Sequence, residues 1–313
     1  MDPQLDLVCL GNITIDDVVL PNGRTRMGCF GGDAIYAAMA ASYWSPKVQF
    51  VAPVGKDFSQ SNLEALKKLG WSLRGMPRRD TTGIWNWIIY EYDGRRTWID
   101  RGPTKDFYQL SPKIDDIPQE YRSSRAYLLL AMDLQATEEL VAALKGSGAL
   151  IAMDPQEEYI LGNQKRIFEL LKGVDIFLPS QIEVERLFGH TDYRRAAQEL
   201  ASLGCQVVAI KLGAEGSLVY HKDSNQFFEF PVYTTKVVDT TGAGDSYSGG
   251  FMAMYAQSHN LVKSGLAGTI SSSFAIEGFG LSSALKTRTK AAQQRFRSMI
   301  ESWQTDHPEW QES

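Results

Sequence analysis

Val238-Asp239-Thr240-Thr241-Gly242-Ala243-Gly244-Asp245-Ser246-Tyr247-Ser248-Gly249-Gly250-Phe251 joins a strand-like stretch to a helix-like one. The small residues Gly242, Ala243 and Gly244 let the backbone turn tightly, expose consecutive N–H groups and aim the positive end of a helix at whatever lies above them. Such a turn suits an anion, and in particular a phosphoryl group that gathers charge during transfer. Asp245, in the first turn of the same helix, is placed to accept a proton from an attacking hydroxyl in line with that group. Read singly, Thr240, Thr241 and Asp245 are ordinary helix caps. The whole pattern is much more specific than its parts.

Upstream of this segment, strand-like and helix-like stretches alternate from Ala126 to Leu212, which favours an α/β protein with a mainly parallel sheet flanked by helices. Leu5–Leu10 reads as a buried strand that opens into a loop at Gly11-Asn12, with Asp16 and Asp17 just beyond. Gly31-Gly32 precedes an Ala-rich helix, Ala34 to Ser42; a strand from Val48 to Val54 and a helix from Asp57 to Leu69 follow. Thr81 to Asp100, with the Asp93-Gly94 turn, carries a β-hairpin pattern. Helical segments close the chain from Gly242 onward.

The 313 residues, 43% hydrophobic and 22% charged, can build one sizeable globular core, read as a single unit over 1–313. A formal charge of -5 argues against a nucleic-acid-binding surface. Cys9, Cys29 and Cys205 are odd in number and without CxxC spacing, so neither a disulfide framework nor a zinc site is indicated, and a reducing cytoplasm is expected. No export signal or bilayer-spanning run is visible, so no membrane partner is expected. The four histidines show neither metal nor triad spacing. Neither a G-x-G-x-x-G after the first strand nor a G-x-x-x-x-G-K-[ST] occurs, which disfavours a dinucleotide oxidoreductase and a P-loop NTPase.

The Asp239–Asp245 segment resembles the C-terminal signature D-T-T-G-A-G-D of the ribokinase or PfkB carbohydrate-kinase family. That resemblance spans about residues 5 to 300. It implies a ribokinase-like three-layer α/β/α sandwich with a small β-sheet lid, and transfer of phosphate from ATP with Mg²⁺ to a hydroxyl of a sugar substrate. It further implies an anion hole from Gly242, Ala243 and Gly244, Asp245 as catalytic base, and Asp239 with Thr241 near a monovalent-cation (K⁺) site. Gly11-Asn12-Ile13-Thr14-Ile15-Asp16 resembles the first-strand motif whose Asp holds substrate hydroxyls, making Thr14 and Asp16 candidate substrate ligands. Gly31-Gly32-Asp33 resembles the double-glycine motif that lets substrate approach the backbone; four residues after the second Gly, Tyr36 stands where an Asn is common. Pro179-Ser180-Gln181-Ile182-Glu183 resembles P-N-x-x-E, in which the Glu organises the Mg²⁺ shell through water, with Ser180 in the Asn position. Lys211-Leu212-Gly213-Ala214-Glu215-Gly216 resembles the strand–turn element that lines the nucleotide, so Lys211, Gly213 and Gly216 join Ser180 and Thr241 as candidate ATP contacts.

The candidate lid pieces are about 17–29 and 81–100. Trp85 and Trp87 share one face by period two, with Trp98 on the partner strand, open to lid core, a homodimer interface through the lid, or stacking on substrate. Among the lid cations Arg24, Arg26, Arg95, Arg96, Arg101 and Lys105, Arg101 is the candidate for a substrate phosphate or carboxylate. A nucleoside kinase of the same fold is the nearest alternative to a sugar kinase. A non-catalytic binding or scaffold member is the other, motivated by Tyr36 and Ser180.

Overall fold

In the computed structural model, residues 4–92, 96–102, 107–280 and 288–308 are described. The Asp93-Gly94 turn and the expected lid cations Arg95 and Lys105 lie outside them, as does the Arg96 side chain. The first apolar run is strand β1 (Leu7–Leu10), entirely buried. It is followed by β2 (Thr14–Val19), β3 (Thr25–Gly31), α1 (Asp33–Ala41), β4 (Val48–Val51), α2 (Gln60–Lys68), β5 (Ile84–Tyr90) and β6 (Arg96–Asp100). A short α3 (Phe107–Leu110) leads to the alternating region: β7 (Ala126–Leu129), α4 (Leu134–Leu144), β8 (Leu150–Met153), α5 (Gln164–Leu170), β9 (Ile176–Phe177), α6 (Gln181–Phe188), α7 (Tyr193–Leu203) and β10 (Val207–Lys211). Two hairpin strands, β11 (Ser217–His221) and β12 (Gln226–Phe230), precede α8 (Ala243–Ser258), α9 (Leu261–Ala275) and α10 (Thr289–Asp306).

The main sheet has the order β12-β11-β10-β9-β8-β7-β1-β4. Pairing is parallel from β4 through β10 and antiparallel for β10–β11–β12. Helices cover both faces, so the strand residues divide by parity. Leu7 and Cys9 enter the core shared with α1, α8 and α9, while Val8 and Leu10 enter the core shared with α4, α5 and α7. That double burial explains why these strands read as unbroken apolar runs rather than alternating ones. The three-layer expectation holds, and among the described residues no helix is long and apolar enough to cross a membrane.

A second, four-stranded sheet, β3-β2-β5-β6, forms the lid. Its strands run further toward the main sheet than 17–29: β2 begins at Thr14 and β3 ends at Gly31, so Asp16 belongs to the lid sheet itself. The lid faces also divide by parity. Asp16, Val18, Asn86, Ile88 and Tyr90 are buried on one face, whereas Trp85, Trp87 and Ile89 are only partly buried on the other.

Helices α1 and α8 are in intimate contact. A Cβ added to Gly249 would lie 2.1 Å from the backbone oxygen of Ala37, so α8 meets α1 backbone to backbone where no side chain fits. Gly249→Val should therefore destabilise the fold by about 2–4 kcal/mol through overpacking between rigid helices. Urea unfolding measures this, and a midpoint equal to that of the native chain would refute the close-packing account.

Candidate active site

The floor of the site is the turn that starts α8. Gly242 adopts φ 75°, and a side chain there would collide with the Tyr36 ring, whose nearest atom would be 2.3 Å from the added Cβ. Glycine is needed on both counts. The Asp239 carboxylate shapes the turn: Oδ1 accepts from the Thr241 amide (2.9 Å) and hydroxyl (2.7 Å), and Oδ2 from the Gly280 amide (3.4 Å). The Ala243 amide closes the turn on the Thr240 carbonyl (3.2 Å). The N-cap of α8 is Gly242, which offers no side-chain cap, and Asp245 lies in the first turn. The positive end of a 16-residue helix is thus presented next to a carboxylate.

Lys211, at the end of β10, reaches the same place. A Cβ on Gly244 would lie 3.5 Å from its Nζ. Lys211 Nζ pairs with Asp154 Oδ2 at 2.5 Å, and the Ser248 hydroxyl from α8 donates to that same oxygen at 2.6 Å. Burial works against the Lys211 charge, but Asp154 and Glu183 outweigh it and hold the amine firmly protonated. Ser180 and Glu183 form a capping box at the start of α6, the Ser180 amide donating to Glu183 Oε2 at 2.5 Å. Glu183 therefore caps α6 and faces Lys211 and Asp154 as well. Burial raises its carboxyl to about 7, with Lys211 opposing the rise and Asp154 adding to it. Asp33, first residue of α1, accepts from the Asn12 amide at 2.8 Å, and burial together with the charge of Asp245 raises its pKa. Gly213 and Gly216 flank a short turn between β10 and β11, beyond Lys211.

The roof is the buried face of the lid. Asp16 accepts from the Thr14 hydroxyl (2.8 Å) and from Asn86 Nδ2 (3.0 Å). A Cβ on Gly31 would lie 3.0 Å from Asp16 Oδ2 and 3.4 Å from the Tyr36 ring, and one on Gly32 would meet the Asn12 carbonyl at 2.4 Å. Tyr36 joins roof and floor: burial, Asp239, Asp16 and Asp245 all push its phenol up. The Tyr90 and Thr241 hydroxyls are hydrogen-bonded at 2.7 Å, tying the lid to the turn beneath it.

Arg101 does not join this constellation. Its guanidinium pairs with Asp17 and lies over the rings of Trp87 (5.2 Å) and Trp85 (5.8 Å). Strand alternation puts Asp17 and both tryptophans on the face opposite Asp16, so the arginine and these rings lie across the lid sheet from it. Trp98 packs beside Val18, Ile88 and Tyr90 in the lid core. Conversely, four contributors escaped the sequence reading: Asn86, Tyr90, Asp154 and Ser248. Only Asp154, at the C-terminal end of a parallel strand, carried a usable signal; the others become meaningful once distant segments meet.

Among the described residues no three His, Cys, Asp or Glu side chains converge as a ready metal cage. Glu183 and Asp154 nevertheless supply the hard carboxylate oxygens suited to Mg²⁺ held through water beside nucleotide phosphates. Bound there, the ion would neutralise phosphate charge.

Loss of the Tyr90 hydroxyl should loosen the floor. In Tyr90→Phe, hydrogen exchange of amides 239–245 should rise roughly three- to tenfold, the scale of one hydrogen bond, with β11 and β12 unaffected; unchanged exchange in the turn would refute the coupling. Because the folded Glu183 carboxyl titrates near 7 against an ordinary 4.5, its proton stabilises the fold fully below pH 4.5, and that contribution is lost as pH rises to about 7. Glu183→Gln in metal-free protein should flatten this part of a stability–pH curve from urea midpoints, and an unchanged slope would contradict the assignment.

The description "pfkB family carbohydrate kinase" matches residues 6–288. A cytidine kinase of Thermococcus kodakarensis is 30% identical over 260 residues, 82% of this chain and 91% of the relative. The nucleoside kinase structure of Methanocaldococcus jannaschii superposes with TM-score 0.75 at 21% identity, covering 94% of this chain and 99% of that one. The Arabidopsis thaliana ribokinase complexed with ribose and ATP gives 0.73 at 20% identity, covering 95% and 99%. The signature turn, the lidded three-layer fold and these matches agree: the chain belongs to the pfkB family of carbohydrate kinases, phosphotransferases with an alcohol group as acceptor.

Proposed function

We propose that this chain transfers the terminal phosphoryl group of MgATP to a hydroxyl of a sugar or sugar derivative in one in-line step, with Asp245 taking the hydroxyl proton. One observation carries the reading: Asp245 lies in the first turn of a helix whose N-cap, Gly242, offers no side-chain cap, and it shares the Tyr36 hydroxyl's surroundings with lid-borne Asp16. The helix end and Lys211 stabilise negative charge that grows on the phosphoryl oxygens, which is where most of the catalytic effect of such a site arises. Asp16 and Thr14 orient the acceptor. The lid excludes water, so that ATP is spent on the acceptor rather than on hydrolysis.

A nucleoside acceptor is the second reading, supported by the names of the Thermococcus and Methanocaldococcus relatives. Trp85 and Trp87 lend it no support, because they lie on the other lid face. A purely scaffolding role is disfavoured by the intact array of Asp245, Lys211 and the glycine turn.

A coupled ADP-release screen over ketoses, aldoses, keto-deoxy acids, sugar phosphates and nucleosides should identify one acceptor class. With that acceptor, Asp245→Asn should lower kcat by about 10²–10⁴-fold, the usual contribution of a general base, while ATP binding persists in calorimetry. Ordinary turnover in the variant would sink the mechanism, and ATP binding with silence across every class would favour a scaffold.

A further inference from the structure

Asn86 occupies the middle of β5 on the same lid face as Asp16, and it is 1% exposed. Its Nδ2 donates to Asp16 Oδ1 at 3.0 Å, which fixes the orientation of the amide, since a carboxylate can only accept. Its Oδ1 is buried and has no hydrogen-bond partner among the described residues. A bare carbonyl oxygen in such a place is costly unless some donor reaches it. It is held one bond angle away from the nitrogen that meets Asp16. Two acceptors therefore stand side by side under the lid: the Asp16 carboxylate and the Asn86 carboxamide oxygen.

We propose that Asn86 is a specificity-determining residue whose Oδ1 accepts a hydrogen from the acceptor hydroxyl adjacent to the one held by Asp16, selecting substrates that carry a vicinal diol on a sugar ring. The inference rests on the acceptor reading above and narrows it. Paired acceptors demand paired donors. Neighbouring hydroxyls supply both hydrogens, a deoxy carbon supplies none, and a phosphate or carboxylate in that place would bring only further acceptors against a carboxylate. With Arg101 committed to Asp17 on the far face, no compensating cation from that residue is at hand.

The test compares kcat/KM for cytidine with 2′-deoxycytidine, and for ribose with 2-deoxyribose, in the native chain and in Asn86→Ala and the near-isosteric Asn86→Leu. The native chain should prefer the diol by roughly tenfold or more, because a buried polar group left unpaired penalises the analogue that lacks the hydroxyl. In both variants that ratio should fall toward one. Loss of the Asn86–Asp16 bond lowers the rate for diol and deoxy acceptors alike, so it cancels in the ratio. Thermal midpoints and binding of an ATP analogue confirm that the variants are folded. A native chain without preference, or variants that lose both members of a pair equally, would overturn the proposal and leave the acceptor reading standing. Turnover of neither pair by the native chain, with an acceptor lacking a vicinal diol found in the ADP-release screen, would overturn the proposal alone, whereas silence across every class would overturn both.

Discussion

Gly249 has no side chain, and the backbone oxygen of Ala37 lies where one would be. That contact sets how closely α8 approaches α1, and the rest of the site depends on it. Tyr36, one residue before Ala37, lies against Gly242 at the start of α8. Asp33 opens α1 close enough to Asp245 to feel its charge. Two helices thus begin beside the same space, and their positive ends act on it together. The Ala-rich sequence of α1 serves this approach, since larger residues on the contacting face would hold the helices apart.

The charges in that space are unbalanced in a purposeful direction. Asp33, Asp154, Glu183 and Asp245 gather around Lys211 and the helix end, and burial keeps Asp33 and Glu183 protonated to higher pH than ordinary carboxyls. A phosphate chain accompanied by Mg²⁺ brings both signs of charge, so this arrangement suits the pair better than either alone. Ser248 and Lys211 both bind Asp154 Oδ2, which links β8, β10 and α8 at one atom. The electrostatic centre is therefore also a structural one.

The lid is joined to this centre by specific bonds as well as by apolar cover. Tyr90 reaches Thr241, and Thr241 is held by Asp239. Displacing the lid would break the first of these and relax the turn that starts α8. Its opposite face carries partly exposed tryptophans with Arg101 between them and Asp17, a separate polar–aromatic cluster that stiffens the strands from outside.

Residues whose roles are local were readable from the chain. The run Gly242-Ala243-Gly244-Asp245 dictates a tight turn into a helix, and the apolar strands with their intervening helices dictate a layered sheet. These follow from steric freedom, hydrogen-bond supply and periodicity within a few residues. Lys211 and Glu183 also announced themselves, through the motifs that contain them. Asn86, Tyr90 and Ser248 did not, for each is an unremarkable strand or helix residue until a partner 70 to 151 positions away is brought to it. Arg101 shows the same reason in reverse: its charge was visible, but strand parity and the pairing with Asp17 decided which lid face it lies on. The sequence by itself determined the turn, the layers and the carboxylate in the first turn of α8, because those are short-range consequences of backbone chemistry. Which side chains meet beneath the lid was decided only by tertiary structure, because a hydrogen bond between distant residues depends on where the fold places both ends.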